Sequence, residues 1–168
     1  DDLSLGGMTL HGHPENSSTT PYHYGTIGAT QDSYRMFRQN ESDGRMHMYH
    51  GELGYEHRWS ELHKLTAHVE YNRWMSDNDN TYQDSTTYIA PVKPSTYYYQ
   101  LRPMHVRNRS WEVKLDYENQ LTENFKLEAG YNGRFSHENT PQESFEANTW
   151  DGSGMVEDQQ YYNRFIYT

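Results

Sequence analysis

Alternation of apolar and polar residues, rather than any apolar run, organises this chain. Leu53, Tyr55, His57 and Trp59 alternate with Gly54, Glu56 and Arg58, and a short turn follows at 60–62. Leu65, Ala67, Val69 and Tyr71 then alternate with Thr66, His68, Glu70 and Asn72. The same strand–turn–strand unit recurs in register from Leu115. Leu115, Tyr117 and Asn119 lead to a turn at 122–124, after which Phe125, Leu127, Ala129 and Tyr131 resume the pattern. A period of two gives a strand one apolar and one wet face. The repeat therefore predicts two successive hairpins of an up-and-down sheet.

Extending the pattern predicts strands at 2–12, 46–59, 63–75, 109–120, 125–136 and 161–168. The parity of apolar residues switches between Leu3, Leu5 and Met8, Leu10, which places a bulge at Gly6-Gly7. Segments 13–45, 76–108 and 137–160, rich in Ser, Thr, Asn, Asp, Pro and Gly, predict long loops. Within the first of them, 33–39 and 45–50 read as a small hairpin around a turn at 40–44. Short and long connections thus alternate along the chain.

A soluble sandwich would cover each apolar face with a second sheet of comparable apolar content, and no such set of elements remains. The opposite face carries full charges: Glu112, Lys114, Asp116 and Glu118 on one strand, Lys126, Glu128, Asn132 and Arg134 on the next. These are the expected lumen-facing polar residues. Trp59 stands beside one short turn, and Trp74, Trp111 and Phe135 stand near the long loops, as aromatic girdles at two membrane interfaces would. The expected fold is all-β, an antiparallel up-and-down meander of about five or six strands. Too few to close alone, they form a partial wall of a larger transmembrane β-barrel with long outer loops. An open edge in lipid leaves backbone groups unpaired, so residues 1–168 read as a single segment of a longer wall, one that would self-associate through its sheet edges if isolated.

Composition supports an ordered chain that is wet on one side. Only 33% of the 168 residues are hydrophobic, yet 15% are aromatic, with 16 Tyr and 4 Trp. A disordered chain would be poor in aromatics. A net charge of −10 with no basic stripe argues against nucleic acid, and the absence of Cys excludes a disulfide scaffold. The mean hydropathy of −1.17 leaves no stretch for a transmembrane helix, but spanning strands give a far weaker signal.

Several segments together resemble a known family: Leu3-Ser4-Leu5-Gly6-Gly7, Pro21-Tyr22-His23-Tyr24, Tyr82-Gln83-Asp84-Ser85 and Lys126-Leu127-Glu128-Ala129-Gly130-Tyr131. Glu138-Asn139-Thr140-Pro141-Gln142-Glu143-Ser144 and Tyr162-Asn163-Arg164-Phe165-Ile166-Tyr167 extend the likeness. They resemble the C-terminal barrel of TonB-dependent receptors from Bacteroidetes, within the outer-membrane β-barrel proteins. The resemblance implies a barrel of roughly 22 strands around an N-terminal plug, energised uptake through the TonB system, and a place in the bacterial outer membrane. Its implied partners are outer-membrane lipid, TonB through the parent protein, and an unknown small ligand such as an oligosaccharide, peptide or chelate. It supplies no catalytic motif.

Candidate chemistry is sparse. Asp77, Asp79 and Asp84 resemble part of a calcium loop, but the loop glycine is missing and Tyr88 stands where the twelfth-position Glu belongs. A solvated acidic loop accounts for them. His11 with His13, and His47 with His50, are half-sites without a third ligand. No G-x-S-x-G elbow is present, and Glu112, Asp116 and Glu118 read as a polar ladder rather than paired glycosidase acids. No enzyme activity and no cofactor are expected. Tyr22, Tyr24, Tyr82, Tyr88, Tyr97, Tyr98 and Tyr99 offer broad amphipathic surfaces in the outer loops, either for gripping a ligand or for packing those loops against one another. The leading reading is a non-catalytic wall segment of a nutrient transporter. The alternative is a secreted or surface-attached β-rich glycan-binding module.

Overall fold

Backbone pairing is the main cohesive element of this molecule. The computed structural model describes residues 1–28 and 30–167; the last residue of the expected strand at 161–168, and Ala29 in the expected first loop, lie outside them. Among the described residues nine strands follow one another: β1 (Asp2–Gly12), β2 (Glu15–Tyr24), β3 (Tyr34–Ser60), β4 (His63–Tyr88), β5 (Thr96–Thr122), β6 (Phe125–Gln142), β7 (Phe145–Ala147), β8 (Val156–Glu157) and β9 (Asn163–Tyr167). They make one antiparallel sheet with the order β1-β3-β4-β5-β6-β9. β2 continues β1 along the far end of β3, and β7 and β8 flank the far end of β5. No helix occurs among the described residues.

The sequence repeat is a structural repeat. Two-residue turns join Ser60 to His63 and Thr122 to Phe125, each beside a register shift at the hairpin end. Leu53 stands opposite Val69, and Leu115 opposite Tyr131; Tyr55 faces Ala67, and Tyr117 faces Ala129. Across the sheet, Leu3, Tyr55, Ala67, Leu115 and Tyr131 form one continuous row. Glu52, Glu70, Glu112 and Arg134 form a row of the other parity. One face is therefore apolar and the other charged over the turn-proximal half of the strands.

Among the described residues, no second layer of strands covers either face. Ala147 is the one buried hydrophobic residue among those described, whereas Asp84, Gln100, Ser110 and Ser144 are buried polar residues. Leu5 is 84% exposed, and Trp111, Leu115 and Phe135 are all exposed on the apolar face. A water-soluble domain buries such side chains; a strand wall bathed in lipid does not. The apolar stretch of β5 from Trp111 to Leu121 has the roughly 9–11 residues that a tilted membrane strand needs.

The strands are much longer than their alternation predicted. Residues 15–24, 76–88, 96–108 and 137–142, all expected to be loop, are paired strand, and the small hairpin expected at 33–39 and 45–50 is instead, from Tyr34 on, part of one continuous β3. The expected turn at 40–44 is uninterrupted β3, with Asn40 opposite Tyr82 and Gly44 opposite Asn78. Here both faces are polar, so the periodicity is invisible although the ladder continues. Gly6 and Gly7 carry no bulge: they face Glu52 and Gly51 in unbroken register. Met8 and Leu10 therefore lie on the charged face, beside His50 and Met48. Trp74 joins them opposite Met48, so it does not belong to the girdle that Trp111 and Phe135 form by facing each other.

Candidate functional site

Because β3, β4 and β5 keep unbroken register through their distal halves, parity decides which side chains meet. Tyr22, Tyr24, Tyr82, Tyr88 and Tyr98 share the parity of the charged face, whereas Tyr97 and Tyr99 project from the opposite one. All seven lie on strands, not in the loops expected for them. Tyr24 stacks on Tyr34 at 4.4 Å between centroids, and Tyr34 meets Tyr88 at 6.0 Å. Tyr97 and Tyr99 serve packing instead: Tyr97 contacts Trp150 edge-on at 6.3 Å, and the Tyr99 ring lies against Gly152.

Polar side chains interleave with the tyrosines on the charged face. Arg38 donates to both carboxylate oxygens of Asp84 at 2.7 Å. The carboxylate raises the arginine above its ordinary value by that hydrogen bond. Burial, and then a hydrogen bond to Glu146, pushes the Tyr98 phenol up, so it is a neutral donor in any physiological medium. Gln100 donates to Ser144 and Glu146 at 3.2 and 3.0 Å. Asn80 donates to the Arg102 carbonyl, and Asn78 donates to Asn80.

At the centre, the Arg102 guanidinium lies over the Tyr82 ring at 5.5 Å and the Tyr161 ring at 5.0 Å. Beside it is a groove of about 200 Å³, walled by Asn80, Tyr82, Arg102, Met104, Gln142 and Tyr161. Asn40 Oδ1 and Arg102 Nε are buried without a hydrogen-bond partner. Asn40 stands directly opposite Tyr82, and Arg102 opposite Asn80. Both atoms are closed off from solvent, so the surface that can recognise a polar ligand with a flat apolar face is the groove itself, where the Tyr82 and Tyr161 rings stand beside the amides of Asn80 and Gln142. The sequence placed Asn40 in a turn and Arg102 in a loop, so neither was a candidate there. The strand parity that unites them with Tyr82 is legible only once pairing is known.

Glu112, Lys114, Asp116, Glu118, Lys126, Glu128, Asn132 and Arg134 lie on the charged face, nearer the short turns, in direct cross-strand rows. Glu118 accepts Lys64 at 2.9 Å and Lys126 at 3.0 Å, Glu112 takes Lys114 at 2.7 Å, and Glu128 pairs with Lys126. The ladder therefore neutralises itself over much of its length.

The calcium candidate does not assemble. Asp77 and Asp79 share the apolar-face parity, whereas Asp84 points to the other face and is held by Arg38. Asp77 receives Arg107 Nη2 at 2.6 Å, and His105 Nδ1 lies 2.6 Å away. Partial burial pushes its pKa up, but those hydrogen bonds outweigh burial and leave it below the ordinary carboxylate value. His11 and His47 stand opposite each other with their Nδ1 atoms 2.6 Å apart. His13 groups with Glu15 and Asp43 on the exposed surface, and His50 instead binds Asn72 on the charged face.

No curated protein matches this chain. A family model described as outer membrane protein beta-barrel family matches residues 60–168, the part that holds β4 to β9 and their exposed apolar face. By its sheet, its two unlike faces and that match, the chain belongs to the outer membrane protein beta-barrel family of the bacterial outer membrane.

Proposed function

We propose that this chain is part of the wall of a TonB-dependent outer-membrane transporter for nutrient uptake, and that it is non-catalytic. On this reading the apolar face meets lipid, the charged ladder lines the lumen, and the short turns face the periplasm, as in barrels with long outer extensions. The free edges of β1 and β9 pair with further strands, because unpaired backbone in lipid costs several kcal/mol per group. The distal tyrosines and the Arg102 groove then stand at the mouth of the pore, where cargo is first met.

One observation carries the reading: the Tyr82 and Tyr161 rings, the Arg102 guanidinium between them and the amides of Asn80 and Gln142 wall a groove on the face that the charged ladder continues. Such a surface suits an oligosaccharide or a peptide, which offers donors, acceptors and a flat apolar side together. The test uses the full-length protein in cells fed labelled oligosaccharides and peptides. Uptake should require an energised inner membrane and TonB, and should fall about ten-fold or more in the Y82A/R102Q variant with barrel assembly intact. Uptake indifferent to TonB, or to that variant, would refute the proposal.

A further inference from the structure

Just beyond the aromatic end of the apolar band, on the same face, the chemistry changes within one row. Gly51, Tyr71, Trp111 and Phe135 form the last apolar row, with the Tyr71 and Trp111 rings 4.5 Å apart. The next row on that face is Tyr49, Arg73, Arg109 and His137, each directly opposite the next. The row after it is His47, Met75, Arg107, Asn139 and Ile166. No carboxylate stands in either row, in a chain whose net charge is −10. The first carboxylate further out is Asp77, and Arg107 and His105 already engage it.

Arg73 and Arg109 are exposed cross-strand neighbours, and among the described residues neither makes an ion pair. Like charges directly opposite on one sheet face repel. Such a pair is stable beside an anion that both can hold, and arginine forks match the oxygens of a phosphate. A groove of about 370 Å³ runs between these two arginines, bounded by Tyr71, Arg107, His137 and Asn139.

We propose that Arg73 and Arg109, with His137 at the rim, clamp the phosphate of an outer-leaflet lipid whose acyl chains lie along the apolar face. The position selects a lipid over free phosphate. The groove is walled by Tyr71 of the last apolar row, whose ring lies 4.5 Å from that of the exposed Trp111, so one molecule reaches both the arginines and the band. The proposal rests on the proposed membrane placement of this face with the short turns toward the periplasm, not on transport, and its readout is independent of uptake.

The full-length protein, purified in neutral detergent, is titrated with a bisphosphorylated lipid A, with diacylglycerol and with inorganic phosphate, and bound lipid is counted by native mass spectrometry. Lipid A should bind, and R73Q/R109Q should weaken it about ten-fold or more. R134Q, a charge loss on the opposite face, should leave binding intact. Should R73Q/R109Q fail to assemble, R73K/R109K keeps the charge and loses the fork, and its binding should still weaken. Equal binding of diacylglycerol, binding of inorganic phosphate alone, or undiminished lipid A binding by the assembled arginine variants would each overturn the clamp.

Discussion

Arg38 grips Asp84 through two parallel hydrogen bonds of 2.7 Å, Nε to Oδ1 and Nη2 to Oδ2, from directly opposite positions on β3 and β4. The aspartate side chain is only 10% exposed, the arginine 38%. Asp84→Asn strands part of a guanidinium, and Arg38→Met strands a largely buried carboxylate, so the arginine variant should suffer more. Exposure on the arginine side tempers the loss to about 1–3 kcal/mol. Urea unfolding of the refolded full-length barrel should show the double variant losing less than the sum of the singles. Additive losses would mean that the two side chains are not coupled.

Tyr99 and Gly152 make a second pair with a separable consequence. Gly152 has φ of +74°, and an added Cβ would come within 2.8 Å of the Tyr99 ring. Gly152→Ala meets both backbone strain and a clash, and should cost about 1–3 kcal/mol locally. Tyr99→Ala should release the same segment by removing the ring it rests on. Hydrogen exchange across residues 148–155 should speed up in both variants, while that in 111–120 stays unchanged. Unaltered exchange at 148–155 would remove the packing role given to Tyr99.

These positions show what the chain discloses before it folds and what it hides. Near the short turns, Leu115 and Lys114 must face different media, so each residue announces its side and the two hairpins are legible to within a residue or two. Beyond Trp111 both faces are polar. Asp77-Asn78-Asp79-Asn80 has the composition of a turn, and its low strand propensity is overridden because β3 and β5 satisfy its backbone on both sides. The site suffers from the same loss. Tyr82 was visible as an aromatic, but Asn40 and Arg102 join it only through pairings that span long stretches of sequence. Parity also separates Tyr97 and Tyr99 from the other tyrosines, which composition cannot do.

The Asp77 pair predicts a pH dependence of definite sign. Its carboxylate is held below the ordinary 3.8, since the hydrogen bonds from His105 and Arg107 outweigh the upward push of burial. A carboxylate depressed in the folded state contributes stability above its unfolded value and loses it as pH falls through the folded one. The contribution should therefore be whole above pH 3.8 and shrink below it. Both side chains are more than a third exposed, which limits the amount to about 0.2–1 kcal/mol. Asp77→Asn should lower the melting temperature slightly at pH 6, with the gap from wild type closing under more acid conditions. A gap that widens in acid would contradict the assignment.

Leu115 gives the sharpest test of which face meets lipid. It lies in the middle row of the apolar band, between Ala67 and Tyr131 and two rows from the aromatic end at Gly51 and Tyr71. An arginine there would sit near the bilayer midplane, where such a charge costs about 2–4 kcal/mol. Lys114, one residue away, points to the other face and pairs with Glu112 at 2.7 Å, so Lys114→Gln removes only an ion pair that water screens. Folding of the full-length protein into lipid vesicles, followed by urea titration, measures both. The expected result is a large loss for Leu115→Arg and a small one for Lys114→Gln. The reverse ranking would place the charged face against the acyl chains and invert the wall.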